Sequence, residues 1–254
     1  MLVSPSFLSS PGGEAVAEKL DMGPRLRAIA SLVPAGCRCL ADIGTDHGYI
    51  PVSLLLEGRI EQAVAADIGA LPLDHARRTA GSRGVAEHVD FRLGDGLSVL
   101  APGEADAIVI AGMGGDAITS ILAAAPWSRA GPLLLLQPMS KAEVLRAWLP
   151  DNGYAVLAER LVQDKGVLYP ILTVRGGEMP PAAQAQCWGG FLLGEDPLYG
   201  LYIADRLLRL RRASAGLARA RDPAAAEKRR ALLEVIARLE EEKGEWEHAD
   251  AARD

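Results

Sequence analysis

The chain has no apolar run approaching the roughly 20 residues that a membrane-spanning helix needs, and residues 1–20 lack a basic flank followed by an apolar stretch. Neither anchoring nor secretion is expected on that basis, and a cytoplasmic place is. Cysteine is scarce: Cys37 and Cys39 form one Cys-x-Cys pair, and Cys187 stands alone. No second pair completes a tetrahedral zinc site, so no metal is expected, and the odd count suits a reducing compartment. There is no glycine-lysine signature of the Walker type, no Ser-His-Asp order and no pair of catalytic carboxylates, which removes the usual kinase, hydrolase and glycosidase readings. Net positive charge is missing too. At −6 the chain does not coat nucleic acid through a uniformly basic surface, although a local patch remains open.

What is present is enough apolar sequence, 49% of 254 residues, for one α/β domain and an appendage. Residues 1 to 20 are rich in Ser, Pro and Gly and read as a mobile tail. Leu26, Ile29, Ala30 and Val33 share one helical face over Arg25–Val33, ended by Pro34-Ala35-Gly36. Strands and helices then alternate. Strands are expected at Cys37–Ile43, Gln62–Asp67, Val89–Leu93, Asp106–Ala111 and Leu133–Gln137, with helices at Ile50–Glu57, Leu73–Arg83, Ala117–Ala125 and Lys141–Leu149. After Asn152-Gly153 the pattern changes to two strands, Tyr154–Val162 and Val167–Val174, joined by Gln163-Asp164-Lys165-Gly166, with glycine where a left-handed residue is wanted. Crossover units closed by a hairpin are the order of Rossmann-like methyltransferases rather than of dinucleotide dehydrogenases. The expected domain therefore spans residues 21–177, with Gly176-Gly177 to Pro181 as linker. Leucines at helical spacing in Leu201–Leu217 and Ala224–Lys243, interrupted by Asp222-Pro223, give a helical domain over residues 183–254.

The chemistry concentrates at strand ends. Asp42-Ile43-Gly44-Thr45-Asp46-His47-Gly48-Tyr49-Ile50-Pro51 takes an apolar strand through glycines into a helix, so that backbone N–H groups face a polar ligand. Asp67 ends the second strand 25 residues later, where a carboxylate accepts from ribose hydroxyls; its bland alternative is a helix cap. Asp95, in Gly94-Asp95-Gly96, ends the third, suited to an adenine amino group or to a plain turn. Asp46 stands where the dinucleotide fingerprint has glycine. It would repel a pyrophosphate and attract a cationic ligand, which favours S-adenosyl-L-methionine over NAD. His47 reads more readily as a structural residue than as a proton carrier. Gly112-Met113-Gly114-Gly115 would bring main chain and a thioether to the transferred group, and the Gln137 amide offers two donors and an acceptor for a planar base edge. Nine basic residues against two acids between Arg206 and Arg230 form the local positive patch.

Taken together, these residues resemble the bacterial tRNA (adenine-22-N1)-methyltransferase family. The shared motifs are Arg25-Leu26 before a short helix, Pro34-x-Gly36, Asp42-Ile43-Gly44-x-Asp46-His47-x-Tyr49-x-Pro51, Gly94-Asp95-Gly96, Ala111–Gly115, Leu136-Gln137-Pro138 and Leu145-Arg146-x-Trp148-Leu149. The resemblance is close over residues 24–175 and loose over the helical tail. It implies an enzyme that uses S-adenosyl-L-methionine to methylate N1 of an adenine in tRNA, on a Rossmann-like α/β domain followed by a coiled-coil-like helical domain. It also implies a cofactor site of Arg25, Asp42, Gly44, Asp46, His47, Gly48, Asp67, Asp95, Gly96 and Gly112 to Gly115, with Gln137, Asp46 and Tyr49 at the target base. Two positions depart: Met139 stands where the family usually has Asn, and Gly48 where it usually has another small residue. A small-molecule methyltransferase and a non-catalytic S-adenosylmethionine-binding protein are the alternatives. Oligomeric state stays open.

Overall fold

A computed structural model describes residues 20–219 and 222–252; the expected mobile tail, bar Leu20, lies outside the described residues. The strands are β1 (Cys39–Ile43), β2 (Gln62–Asp67), β3 (Val89–Leu93), β4 (Ala107–Gly114), β5 (Leu133–Ser140), β6 (Tyr154–Asp164) and β7 (Val167–Gly176). They form one sheet in the order β3-β2-β1-β4-β5-β7-β6, parallel except where β7 runs antiparallel to β5 and β6. The helices are α1 (Pro24–Ser31), α2 (Tyr49–Leu56), α3 (Ala70–Ser82), α4 (Gly115–Ala124), α5 (Ala142–Asp151), α6 (Gln184–Gly189), α7 (Tyr199–Leu217) and α8 (Pro223–Ala251).

The apolar central strands supply both faces of this sheet because successive side chains point to opposite sides. Ile43, Ile108, Ile110, Leu134 and Leu136 join one core with Ile118, Leu122 and Leu145 of α4 and α5. Leu40, Ala107, Val109, Leu133 and Leu135 join the other with Ile29, Ile50 and Leu54 of α1 and α2. A third core belongs to the helical tail, where Tyr202, Ile203, Leu207 and Leu210 of α7 meet Val235, Ile236 and Leu239 of α8. The two long helices run antiparallel: Tyr199 meets Trp246 at a ring separation of 6.4 Å, and Arg211 Nη2 donates to Glu240 Oε1 at 2.6 Å.

Several boundaries differ from the sequence reading for local reasons. β4 and β5 run three residues further than expected, pairing Met113 with Pro138 and Gly114 with Ser140 through a bulge. α4 then starts at Gly115, where a Cβ would run into the Lys141 carbonyl oxygen, so only glycine lets the two strand ends approach. The hairpin is tighter than expected: Lys165 (φ 50°) and Gly166 (φ 78°) alone make the turn, both left-handed as a two-residue connection requires. α6 was not foreseen, since six residues are too few to display a helical period.

One charged cluster joins the sheet domain to the tail. Arg146 of α5 donates from Nε to Glu159 Oε1 of β6 at 2.7 Å, and from Nη1 to the Cys187 carbonyl (3.0 Å) and the Tyr202 hydroxyl (3.1 Å). Glu159 Oε2 accepts from the Phe191 and Leu192 N–H groups at 2.5 and 3.0 Å. Both charged side chains are fully buried.

Candidate active site

The C-terminal ends of the parallel strands open into a crevice at the point where strand order reverses between β1 and β4, the usual ligand position in open α/β sheets. The crevice has two chambers that share Gly44. The first, about 250 Å³, is lined by Arg25, Asp42, Asp46, His47, Tyr49 and Gly112, among others. The second, about 330 Å³, is lined by Asp67, Ile68, Asp95, Gly96, Met113 and Ile121, among others. Met113 divides them, because its methyl group lies where a Cβ on Gly44 (φ 76°) would stand.

The first chamber carries charges of both signs. Asp42 ends β1 fully inside the protein, and burial pushes its carboxyl up to about 6; Thr45 donates to it at 2.7 Å and opposes the shift, while the charge of Asp67 adds to it. Asp46 stands exposed at the rim in a left-handed conformation (φ 47°) that a non-glycine residue rarely adopts. Arg25 reaches across from α1, its Nη1 donating to Gln137 Oε1 at 2.6 Å. A cation facing two carboxylates is the complement of an amino-acid zwitterion. The charged groups lining the second chamber are Asp67 and Asp95, and its walls are Ile68, Met113 and Ile121. Those residues suit a neutral nucleoside, with acids for its hydroxyls and amino group and apolar faces for its ring. They leave a pyrophosphate no cation to meet.

Gln137 sits elsewhere than its motif suggested. Its side chain is completely buried, and both ends are committed: Oε1 accepts from Arg25 and from the Gly112 N–H (3.2 Å), and Nε2 donates to the Pro138 carbonyl (2.9 Å). Gly48 caps α2 and Gly115 packs against the β5–α5 turn, so neither lines a chamber; nor does Gly114. Asp67 lines the second chamber, and its Oδ1 accepts from the Gly69 N–H at 2.8 Å in the turn before α3, whose N-cap is Gly69 and carries no side-chain cap bond. His47 stacks on Tyr49 (5.2 Å) and on His75 (4.7 Å). His75 and Asp46 bring ligand atoms within 4.8 Å of His47, but imidazoles only 10° from parallel send their in-plane lone pairs past one another and do not converge on an ion. Sequence reasoning missed Thr45, His75, Ile68 and Ile121. Only Ile68 left a trace, as a large apolar residue directly after a strand-ending acid; it is 73% exposed.

A Rossmann-like sheet with a zwitterion chamber beside a nucleoside chamber defines a methyltransferase of the S-adenosylmethionine type. A family model described as a methyltransferase domain matches residues 22–172. The tRNA (adenine(22)-N(1))-methyltransferase of Bacillus subtilis (strain 168) is 36% identical over 187 residues, which is 73% of this chain and 76% of that one. The crystal structure of the B. subtilis m1A22 tRNA methyltransferase superposes with a TM-score of 0.80 at 29% identity, covering 89% of this chain and all of that one. A Streptococcus pneumoniae protein solved in complex with S-adenosyl-L-methionine superposes at 0.75 with 30% identity, over 86% of this chain and 98% of that one. The chain belongs to the tRNA (adenine-22-N1)-methyltransferase family. Among the described residues no helix is long and apolar enough to cross a membrane.

Proposed function

We propose that this protein transfers a methyl group from S-adenosyl-L-methionine to N1 of adenine 22 in tRNA. The observation that carries the reading is the division of charge between the two chambers. Arg25 would hold the carboxylate of the amino-acid end, Asp42 and Asp46 its ammonium and sulfonium charges, Asp67 the ribose hydroxyls and Asp95 the adenine amino group. When bound, the cofactor supplies an activated methyl on a positively charged sulfur.

The protein's task is then position more than proton transfer, since an unpaired adenine N1 is already a nucleophile. A base within a duplex cannot reach the crevice, so the target is flipped or already unpaired. Tyr49 remains available to hold it, whereas Gln137 and the Gly112 N–H are engaged with one another and Gln137 also with Arg25 and Pro138. Gln137 is thereby a positioning residue: it fixes the guanidinium in the cofactor chamber and the β4 turn beneath the target. An acceptor near N6 would relieve the positive charge of the methylated ring, a part we assign to Asp46, exposed at the rim.

Incubation with labelled S-adenosyl-L-methionine and unmodified tRNA, followed by nucleoside analysis, should yield 1-methyladenosine; its absence with the cofactor bound would leave a small-molecule methyltransferase or a binding protein. Asp67→Ala should weaken cofactor binding by about 10- to 100-fold, the worth of hydrogen bonds to a charged group, as read by calorimetry. Gln137→Ala should lower kcat/KM by about tenfold or more and raise the cofactor KM, because Arg25 loses its anchor. Gln137→Glu keeps an acceptor oxygen for Arg25 and Gly112 but sets its second oxygen against the Pro138 carbonyl, so it should recover only part of that loss.

A further inference from the structure

A cleft of about 390 Å³ lies between the end of β5 and the helical tail, lined by Pro138, Lys141, Tyr169, Trp188, Arg206 and Arg209, with others. We propose that it is a nucleotide subsite, which takes a nucleotide flanking the target adenine: its base against Tyr169 and Trp188, its phosphate against Arg206 and Arg209. The proposal rests on the tRNA reading above and adds to it a second contact point on the RNA.

Three features point to this occupant. The charged groups lining the cleft are Lys141, Arg206, Arg209 and Glu143; Lys141 is paired with Asp116 at 2.5 Å, which leaves the two arginines as the cations that face a ligand. Asp205 then holds both arginines in place, accepting from Arg206 Nη2 at 2.6 Å and from Arg209 Nε at 2.9 Å, so one carboxylate meets two guanidinium groups. Arg206 is 11% exposed, stacks on Tyr202 at 4.9 Å, and its buried Nε has no partner among the described residues. Arg209 is 55% exposed and spends only its Nε on Asp205, and a guanidinium held in place with its outer donors open suits a phosphate better than it suits an apolar peptide.

The second feature is position. Pro138 follows Gln137 directly along β5, and Gln137 Oε1 holds the Gly112 N–H, so the cleft opens at the same strand end as the crevice. The third is what flipping does to a neighbour. When a base leaves the stack, the next base loses a face, and a half-buried Tyr and Trp offer another.

Transcripts with an abasic site at nucleotide 21 or 23 test this, assayed with the full-length wild type and with Trp188→Ala. For the wild type, one of the two abasic sites should raise the RNA KM about tenfold. Trp188→Ala should raise the KM of the intact transcript by a similar factor, and the same abasic site should then add nothing, because base and platform form one contact. Cofactor affinity by calorimetry should not change. Since Trp188 also packs against the helical core, Tyr169→Ala provides the same comparison if the first variant misfolds. Arg209→Ala should reduce the salt slope of RNA binding by about one. Abasic and Trp188→Ala (or Tyr169→Ala) penalties that multiply independently, or no penalty at either flank, would overturn the subsite. A wild type that binds cofactor yet leaves the intact transcript unmethylated would instead sink the functional reading itself.

Discussion

Asn in place of Asp42 should make the protein more stable and much poorer at binding its cofactor. The carboxyl is pushed up to about 6 by burial, so holding it ionised at pH 7 opposes folding by about 3 kcal/mol at 1.36 kcal/mol per pH unit. The sign follows from a folded-state value above the unfolded one: the group's favourable contribution is fully present below pH 4 and is lost as pH rises through 6. Asn carries no such charge and still accepts from Thr45, though its amide hydrogens need partners; a net gain of about 2 kcal/mol, or roughly 4–8 °C in Tm, is expected at pH 7.5 and should vanish near pH 4. Thermal unfolding of both proteins across that range measures it. Calorimetric titration should meanwhile show cofactor affinity reduced by about 10- to 100-fold. The wild type should itself bind the cation progressively less well below pH 6. Equal stability of the two proteins at pH 7.5 would show that the buried charge costs nothing.

Arg146→Met should be the most destabilising single change in the joint between sheet and tail. It leaves the Glu159 carboxylate buried without its cation, and breaking one side of such a pair costs about 3–5 kcal/mol. It also withdraws the donors to the Cys187 carbonyl and the Tyr202 hydroxyl, which tie α6 and α7 to α5. Urea unfolding should show a midpoint well below that of the wild type. Adding Glu159→Gln to Arg146→Met should restore part of the loss, since the amide oxygen can still accept from Phe191 or Leu192 without carrying a charge. A double variant no better than the single one would mean that packing, not the stranded carboxylate, sets the cost.

The sheet was legible because its strands announce themselves: uninterrupted apolar runs such as Ala107–Ile110 and Leu133–Leu136, each closed by an acid, a glycine or an amide. The terminal hairpin was legible from Lys165-Gly166 and the change of period after Gly153. Strand ends were read short, since pairing through a bulge at Gly112 and Met113 depends on the partner strand and leaves no local mark. At the site, the acids could be placed from topology alone, because strand ends converge wherever the sheet reverses. Gln137 could not: whether an amide at a strand end faces a ligand or turns inward depends on Arg25, 112 residues earlier. Arg146 was visible as part of a motif, but its burial against Glu159 and Tyr202 is a long-range fact with no signature in spacing.

The joint at Arg146 fixes how far the molecule can measure. With the Arg146–Glu159 pair fully buried at that seam, α7 and α8 are tied to the sheet as a long arm, about 28 and 43 Å at 1.5 Å per residue. A free nucleoside in the crevice would use none of that reach. A folded RNA presents its own contours at such distances, and on the proposed tRNA reading the arm would let the enzyme judge the shape of what it modifies, not merely the identity of one base.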